Sequence, residues 1–343
     1  MQIRGGSSKG LYFLAKDLPR NEHDRNQVLL DIIGRDEGQI NGLGGGHPLS
    51  SKIAIVSSSI HSGADVDYLF AQVIPGREVV DTAPNCGNIL AGVGPFAIES
   101  GLVTPTDDRT NVSVFMVNSG RICNLTVSTP DHHVNYTGDT VIDGVPGSSA
   151  PIVCRYHDIA GSVCGSLFPT GNTVDTINGT QVSCVDNGMP VVVLAARDAN
   201  VTGYESIDVL NGNNELKRFL TTLRLECAQG MGLGDVTDKA IPKMTLAASP
   251  RHGGIVHTRT FIPNTCHTSI GVLGAVSVAT VCLQENSSVT RICDNVAYDA
   301  TEVSIEHPSG ALAVTFDRSQ SGEIVSAGVV RTARLLSRGI ASV

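Results

Sequence analysis

The chain has 343 residues, 41% of them hydrophobic and 17% charged, and a formal charge of −9. That composition can bury a large core, suits two domains of ordinary size and excludes wholesale disorder. The acidic balance, 33 Asp and Glu against 24 Lys and Arg, argues against nucleic acid as a partner but tolerates a small anion held by local cations and free backbone N–H groups.

Taken in order, residues 10–17 read as an apolar strand closing on Lys16-Asp17, and residues 24–34 as a polar helix. A Gly-rich loop, Gly42-Leu43-Gly44-Gly45-Gly46-His47-Pro48-Leu49-Ser50-Ser51-Lys52, leads into a strand over 52–56. It is not a P-loop, because no glycine directly precedes the lysine. An alternating strand follows over 66–73. Pro84-Asn85-Cys86-Gly87-Asn88 then opens an apolar helix over 88–100, and a strand over 120–127 closes the half.

The same six elements return: strand 190–198, helix 214–227, strands 243–247 and 255–262, apolar helix 268–281, strand 310–316. Shared order makes duplication the better reading than chance likeness. The expected fold class is α+β, two pseudo-symmetric domains each with strands wrapped around a central buried helix. The expected domains are 1–160 and 161–323, with the last strand, near 324–343, returning to the first. Packed by a pseudo-twofold, the helix starts at Asn85–Asn88 and Cys266–Ser269 would face one another across an anion-binding cleft.

The longest apolar stretch, 271–283, is broken by Ser277 and Thr280 and falls short of the roughly 20 residues a membrane span needs. The N-terminus shows no apolar signal region. Nine cysteines, an odd number without C-x-x-C spacing, read as reduced thiols of a cytoplasmic protein. Asp131-His132-His133 reads as a solvated turn, since neighbouring histidines on a strand alternate faces and no third ligand is placed. Neither metal nor cofactor is expected. Monomer and homodimer both remain open.

Lys52 and Cys86 carry the chemistry. One is a potential base and the other an acid or base at a helix start, and both stand beside backbone expected to bind anions. Alone, Lys52 is as easily an exposed lysine opening a strand, and Cys86 a buried structural thiol.

Together with Arg4-Gly5-Gly6-Ser7-Ser8-Lys9-Gly10, Phe168-Pro169-Thr170-Gly171-Asn172, His267 ahead of Gly274-Ala275-Val276, and Val330-Arg331-Thr332-Ala333-Arg334, these segments resemble the PrpF-like family of allylic isomerases, which shares the diaminopimelate epimerase fold. The stretch 261–275 is similar to its 4-oxalomesaconate tautomerase branch. The resemblance implies a cofactor-independent 1,3-proton shift on an unsaturated oxo-tricarboxylate from aromatic-acid breakdown. Relatives acting on 2-methylaconitate, aconitate or methylitaconate are the alternative, and a non-catalytic carboxylate-binding protein or an amino-acid racemase are further ones.

It further implies that Lys52 and Cys86 are catalytic. Arg4, Ser7, Ser8 and Lys9 would hold carboxylates, Ser50 and Ser51 another, and the Asn85, Gly87 and Asn88 amides a third. In epimerases of this fold the position matching Cys266 is the second acid/base. A lysine in that role here leaves Cys266 with His267, Thr268 and Ser269 in the substrate-binding set.

Overall fold

The computed structural model describes residues 1–82, 85–237, 239–293, 297–320 and 324–342; Pro84 of the Pro-Asn-Cys-Gly-Asn segment lies outside them. The strands are β1 (Gln2–Gly5), β2 (Ser8–Leu14), β3 (Lys52–Ser58), β4 (Val66–Val73), β5 (Val80–Asp81), β6 (Asp108–Met116), β7 (Arg121–Thr129), β8 (Pro151–His157), β9 (Asp175–Ile177), β10 (Thr180–Asp186), β11 (Pro190–Ala195), β12 (Lys243–Ala248), β13 (Val256–Phe261), β14 (Glu302–His307), β15 (Gly310–Arg318) and β16 (Ile324–Ser337). The helices are α1 (Glu22–Ile33), α2 (Gly87–Leu90), α3 (Val93–Glu99), α4 (Ile207–Gly212), α5 (Asn214–Gly230) and α6 (Val272–Cys282). Two compact units divide the chain: Met1–His157 with Val330–Val343, and Asp158–Val329.

In the first unit eight strands close a circuit, β1-β2-β3-β4-β6-β7-β8-β16 and back to β1. Strand alternation sorts its residues onto two faces. Leu11, Ile53, Ile55, Ala71 and Val73 turn outward against Leu29, Leu30, Ile32 and Ile33 of α1. Gly10, Tyr12, Ala54, Leu125 and Val127 turn inward, where α2 and α3 pack. Asn21 caps α1, its Oδ1 accepting from Asp24 N at 3.2 Å.

The apolar helix expected over 88–100 is two short helices. Pro95 has no N–H to give the Ala91 carbonyl, and Gly92 N bonds instead to Ile89 O at 3.0 Å. Gly92 also permits a close approach: a Cβ there would stand 2.3 Å from Tyr12 Oη.

The second unit runs β9-β10-β11-β12-β13-β14-β15-β16. Leu216, Leu220, Leu223 and Cys227 of α5 cover one face, against Val182, Val192, Leu194, Met244 and Leu246. Every residue of α6 is buried, and it contacts β10, β11, β14 and β15. This helix starts at Val272, four residues later than expected. His267 Nδ1 takes Ser269 N at 2.8 Å, so the preceding backbone is held in its own turn. Among the described residues no helix is long and apolar enough to cross a membrane.

A buried polar knot braces this unit. Glu306, 1% exposed, accepts from the amides of Arg251, His252 and Gly254 and from His257 Nδ1 at 3.0 Å. Burial opposes its ionisation, but hydrogen bonds from the Arg251 amide, His257 and the other two amides outweigh it and hold the carboxyl at about 2. Glu306→Ala leaves those donors unpaired and costs about 3 kcal/mol at pH 7. The depressed folded value sets the sign. The stabilisation is complete above the unfolded glutamate value, about 4.3, and fades as pH falls toward 2. Urea midpoints of wild type and variant, measured from pH 7 down to 3, should draw together.

Candidate active site

Lys52 opens β3, half-buried, paired with Gly10 of β2 and Gln72 of β4. Its side chain shares the inner face with Phe70 and Tyr68. Nζ donates to Gln72 Oε1 at 2.8 Å and stands 5.1 Å from the centre of the Phe70 ring. The Gln72 amide nitrogen lies within hydrogen-bonding distance of three carbonyls, Pro48 (3.2 Å), Ser51 (2.9 Å) and Val73 (3.0 Å), which aims its oxygen at the lysine. Gln72 therefore positions the amine. Gln72→Leu should lower kcat about 10-fold with little change in KM, since a loosened amine spends less time in reacting geometry. Steady-state rates across a substrate range check this.

Cys86 caps α2 in extended conformation, half-buried. Its carbonyl takes Leu90 N at 3.0 Å and Tyr68 Oη at 3.3 Å, while Tyr12 Oη donates to Ile89 O at 2.6 Å. Two inward tyrosines thus pin the turn that bears the thiol. Burial, with Cys86 adding to it, pushes both phenols well above their ordinary range, so they stay protonated donors. Among the described residues no backbone carbonyl takes the N–H groups of Gly87, Asn88 or Ile89, the first of α2. Asn85 Oδ1 is buried without a partner. Asn88 Nδ2 donates to Ser7 Oγ at 3.1 Å, locking the β1–β2 turn onto the helix.

Register places these groups at one end of the circuit. Ser8 begins β2, Lys52 begins β3, Gln72 closes β4 and Tyr156, paired with Cys123, closes β8, all on the inner face. Ser8 is 2% exposed and its Oγ has no partner. Sequence reasoning passed over Gln72, Tyr68 and Tyr12. The signal was the alternation itself: once Lys52 is set inward, positions 68, 70 and 72 of the antiparallel neighbour follow.

Other expected ligands lie elsewhere. Arg4 and Lys9 pair with each other, and Arg4 also with Arg334, on the outer face. A cavity of about 470 Å³ there is lined by Arg4, Ser7, Ser8, Lys9, His47, Ser50 and Arg334, among others. The Arg4 guanidinium is already engaged: Nη1 reaches Gly6 O, Thr332 O and Thr332 Oγ1 at 2.9–3.0 Å, and Nη2 reaches Ser149 Oγ at 3.3 Å. It braces the first hairpin rather than offering an open fork. Ser51, fully buried, donates to Gln39 Oε1 at 2.6 Å and approaches His47 O at 2.9 Å, and Ser50 Oγ donates to His47 O at 3.1 Å. Several amides of the Gly-rich loop are taken up inside the protein. Leu43 N and Gly44 N bond to Ile32 O and Ile33 O, and Gly46 N to Gln39 Oε1. Its glycines serve close packing on the end of α1, where a Cβ at Gly44 would stand 2.0 Å from Gln39 Oε1.

In the second unit Cys266 belongs to the apolar core, 3% exposed, and burial, opposed by Arg259, pushes its thiol to about 11. His267 N donates to Thr260 O, Thr268 is exposed, and Ser269 Oγ lies 3.4 Å from His307 Nε2. Among the described residues no three His, Cys, Asp or Glu side chains converge as a metal site.

Lys52 lies on the inner face, and the turn that bears Cys86 is tied to two tyrosines of that face; an amine and a thiol are groups that enzymes use to move protons on small anions. The sequence profile described as PrpF protein matches residues 1–343, and the chain belongs to that family. It is 50% identical over 341 residues to the (4E)-oxalomesaconate Delta-isomerase of Novosphingobium sp. (strain KA1), covering 99% of this chain and 96% of that protein. It is likewise 50% identical over 339 residues to the 4-oxalomesaconate tautomerase of Pseudomonas putida (strain KT2440), covering 98% and 94%. The crystal structure of methylitaconate-delta-isomerase superposes with a TM-score of 0.87 at 33% identity, covering 98% of this chain and 93% of that one.

Proposed function

We propose that this chain is a cofactor-independent allylic isomerase of an unsaturated oxo-tricarboxylate, 4-oxalomesaconate in the first place, working by 1,3-proton transfer. The observation that carries the reading is the 50% identity, over nearly the whole length, to two enzymes bearing that substrate in their names. The Lys52 amine takes a proton from the allylic carbon and becomes ammonium. The electron pair spreads through a dienolate onto the carbonyl oxygen, beside the free amides of α2. Cys86 returns a proton two carbons away and becomes thiolate, and exchange with water resets both groups. Incubation with 4-oxalomesaconate in deuterated water, followed by proton NMR, should show isomerisation with deuterium entering the allylic unit; no turnover of this acid would refute the assignment.

A second reading, isomerisation of methylitaconate, 2-methylaconitate or aconitate, is favoured by the TM-score of 0.87 to methylitaconate-delta-isomerase. Running the four acids side by side ranks them by kcat/KM. Tricarboxylate binding without any solvent exchange would indicate a silent binding protein instead. Racemisation needs a second acid/base, and Cys266 is an ill-suited one, packed in the core with its thiol pushed up to about 11.

The same reading takes the two units as copies of one diaminopimelate-epimerase-like plan, each built around a buried helix. Strand senses support it. From β1 to β8 successive pairs run antiparallel, parallel, antiparallel, parallel, antiparallel, antiparallel. From β10 to β16 the order repeats.

A further inference from the structure

Arg331 stands on β16 two residues before Ala333 and four before Leu335, which pair with Gly5 and Ile3. Alternation puts its side chain on the inner face of the first unit, at the end that carries Ser8 and Lys52. It is 8% exposed. Its side chain makes one hydrogen bond, Nη1 to Val330 O at 3.0 Å, and Nε is buried with no partner. Among the described residues no Asp or Glu pairs with it.

An arginine keeps its proton in a protein, so a full positive charge lies buried here without a counter-ion. Arg224, buried in the second unit, likewise has an Nε without a partner, but its Nη1 is shared among the carbonyls of Val236, Lys239 and Ile241 at 3.0–3.1 Å. Nothing comparable saturates Arg331. Beside it the Tyr156 hydroxyl is also buried without a partner, close enough to feel the Arg331 charge. With Ser8 Oγ, three donors at this end lack an acceptor.

We infer that Arg331 is the carboxylate anchor of this site, gripping one carboxylate of a di- or tricarboxylate while the Tyr156 and Ser8 hydroxyls take further oxygens. This rests on the reading of that end as the substrate site. The planar fork of the guanidinium suits a two-point grip, and an incoming carboxylate supplies the counter-charge that the free protein lacks.

The test uses tricarballylate, a saturated tricarboxylate that cannot isomerise, with calorimetric binding and thermal melts on the full chain. Wild type should bind it and melt higher in its presence. Arg331→Met should bind it about 100-fold more weakly, and Tyr156→Phe about 10-fold more weakly. Without ligand, Arg331→Met should melt at or above the wild-type temperature, because an uncompensated buried charge has been removed. Unchanged affinity in Arg331→Met, or no binding by wild type, overturns the inference. So does a lower ligand-free melt with affinity intact, which marks a structural arginine. Should that variant not fold, Arg331→Lys decides: about 10-fold weaker binding supports the anchor, and wild-type affinity overturns it. Binding is read without turnover. A wild type that binds tricarballylate through Arg331 but isomerises no acid refutes only the proposed reaction, and an active isomerase indifferent to Arg331 refutes only the anchor.

Discussion

Lys52→Ala should lower kcat for 4-oxalomesaconate by about 1,000-fold, the scale of a lost general base, and leave stability within about 1 kcal/mol of wild type. Removing a proton from carbon is the hard step, and alanine offers nothing to receive it. The fold should tolerate the change. The amine is half-buried and makes one hydrogen bond, to Gln72, whose own amide remains fastened to Pro48, Ser51 and Val73. Lys52→Arg keeps a cation but not a usable base and should be nearly as inactive. Rates and urea melts on the same preparations check both halves, and near-normal turnover in either variant would remove the lysine from the reaction.

Cys86→Ala should be the next most severe change, about 100-fold in kcat, with the two tyrosine anchors still holding the turn. Its signature differs from that of the lysine variant. If Lys52 withdraws the proton and Cys86 returns one, Cys86→Ala should still exchange the abstracted proton with deuterated water while product formation lags. In Lys52→Ala both processes should stop together. Equal loss of exchange and product in Cys86→Ala would assign the thiol to shaping the pocket.

Much of the scaffold is legible in the chain because alternation and helical periodicity are local. Ile53 and Ile55 announce an outward stripe on the strand that begins at Lys52, and α1 is bounded by Asn21 and by Gly34 at a φ of 102°. What escapes a linear reading depends on neighbours distant in sequence. The glycines before Lys52 look like an anion-binding loop until the end of α1 and Gln39 are seen to take their amides. Arg4 looks like a free fork until Thr332 and Ser149, far along the chain, engage it. Pro95 stands inside the apolar run that composition reads as one helix, and the structure breaks that helix in two ahead of it. Arg331 gave the weakest signal of all. Its segment, Val330 to Arg334, carries part of the family resemblance but no role for the arginine, and only the closing of the circuit through β16 turns it inward.

In the proposed reaction an amine and a thiol from separate segments meet the same guest at one end of the first unit. A crystal structure of the protein with bound tricarballylate tests it most directly. The prediction is a ligand whose carbons lie within about 4 Å of both Lys52 Nζ and Cys86 Sγ, with a carboxylate on Arg331. A ligand seated instead in the outer-face cavity, on Lys9 and Arg334, would contradict it.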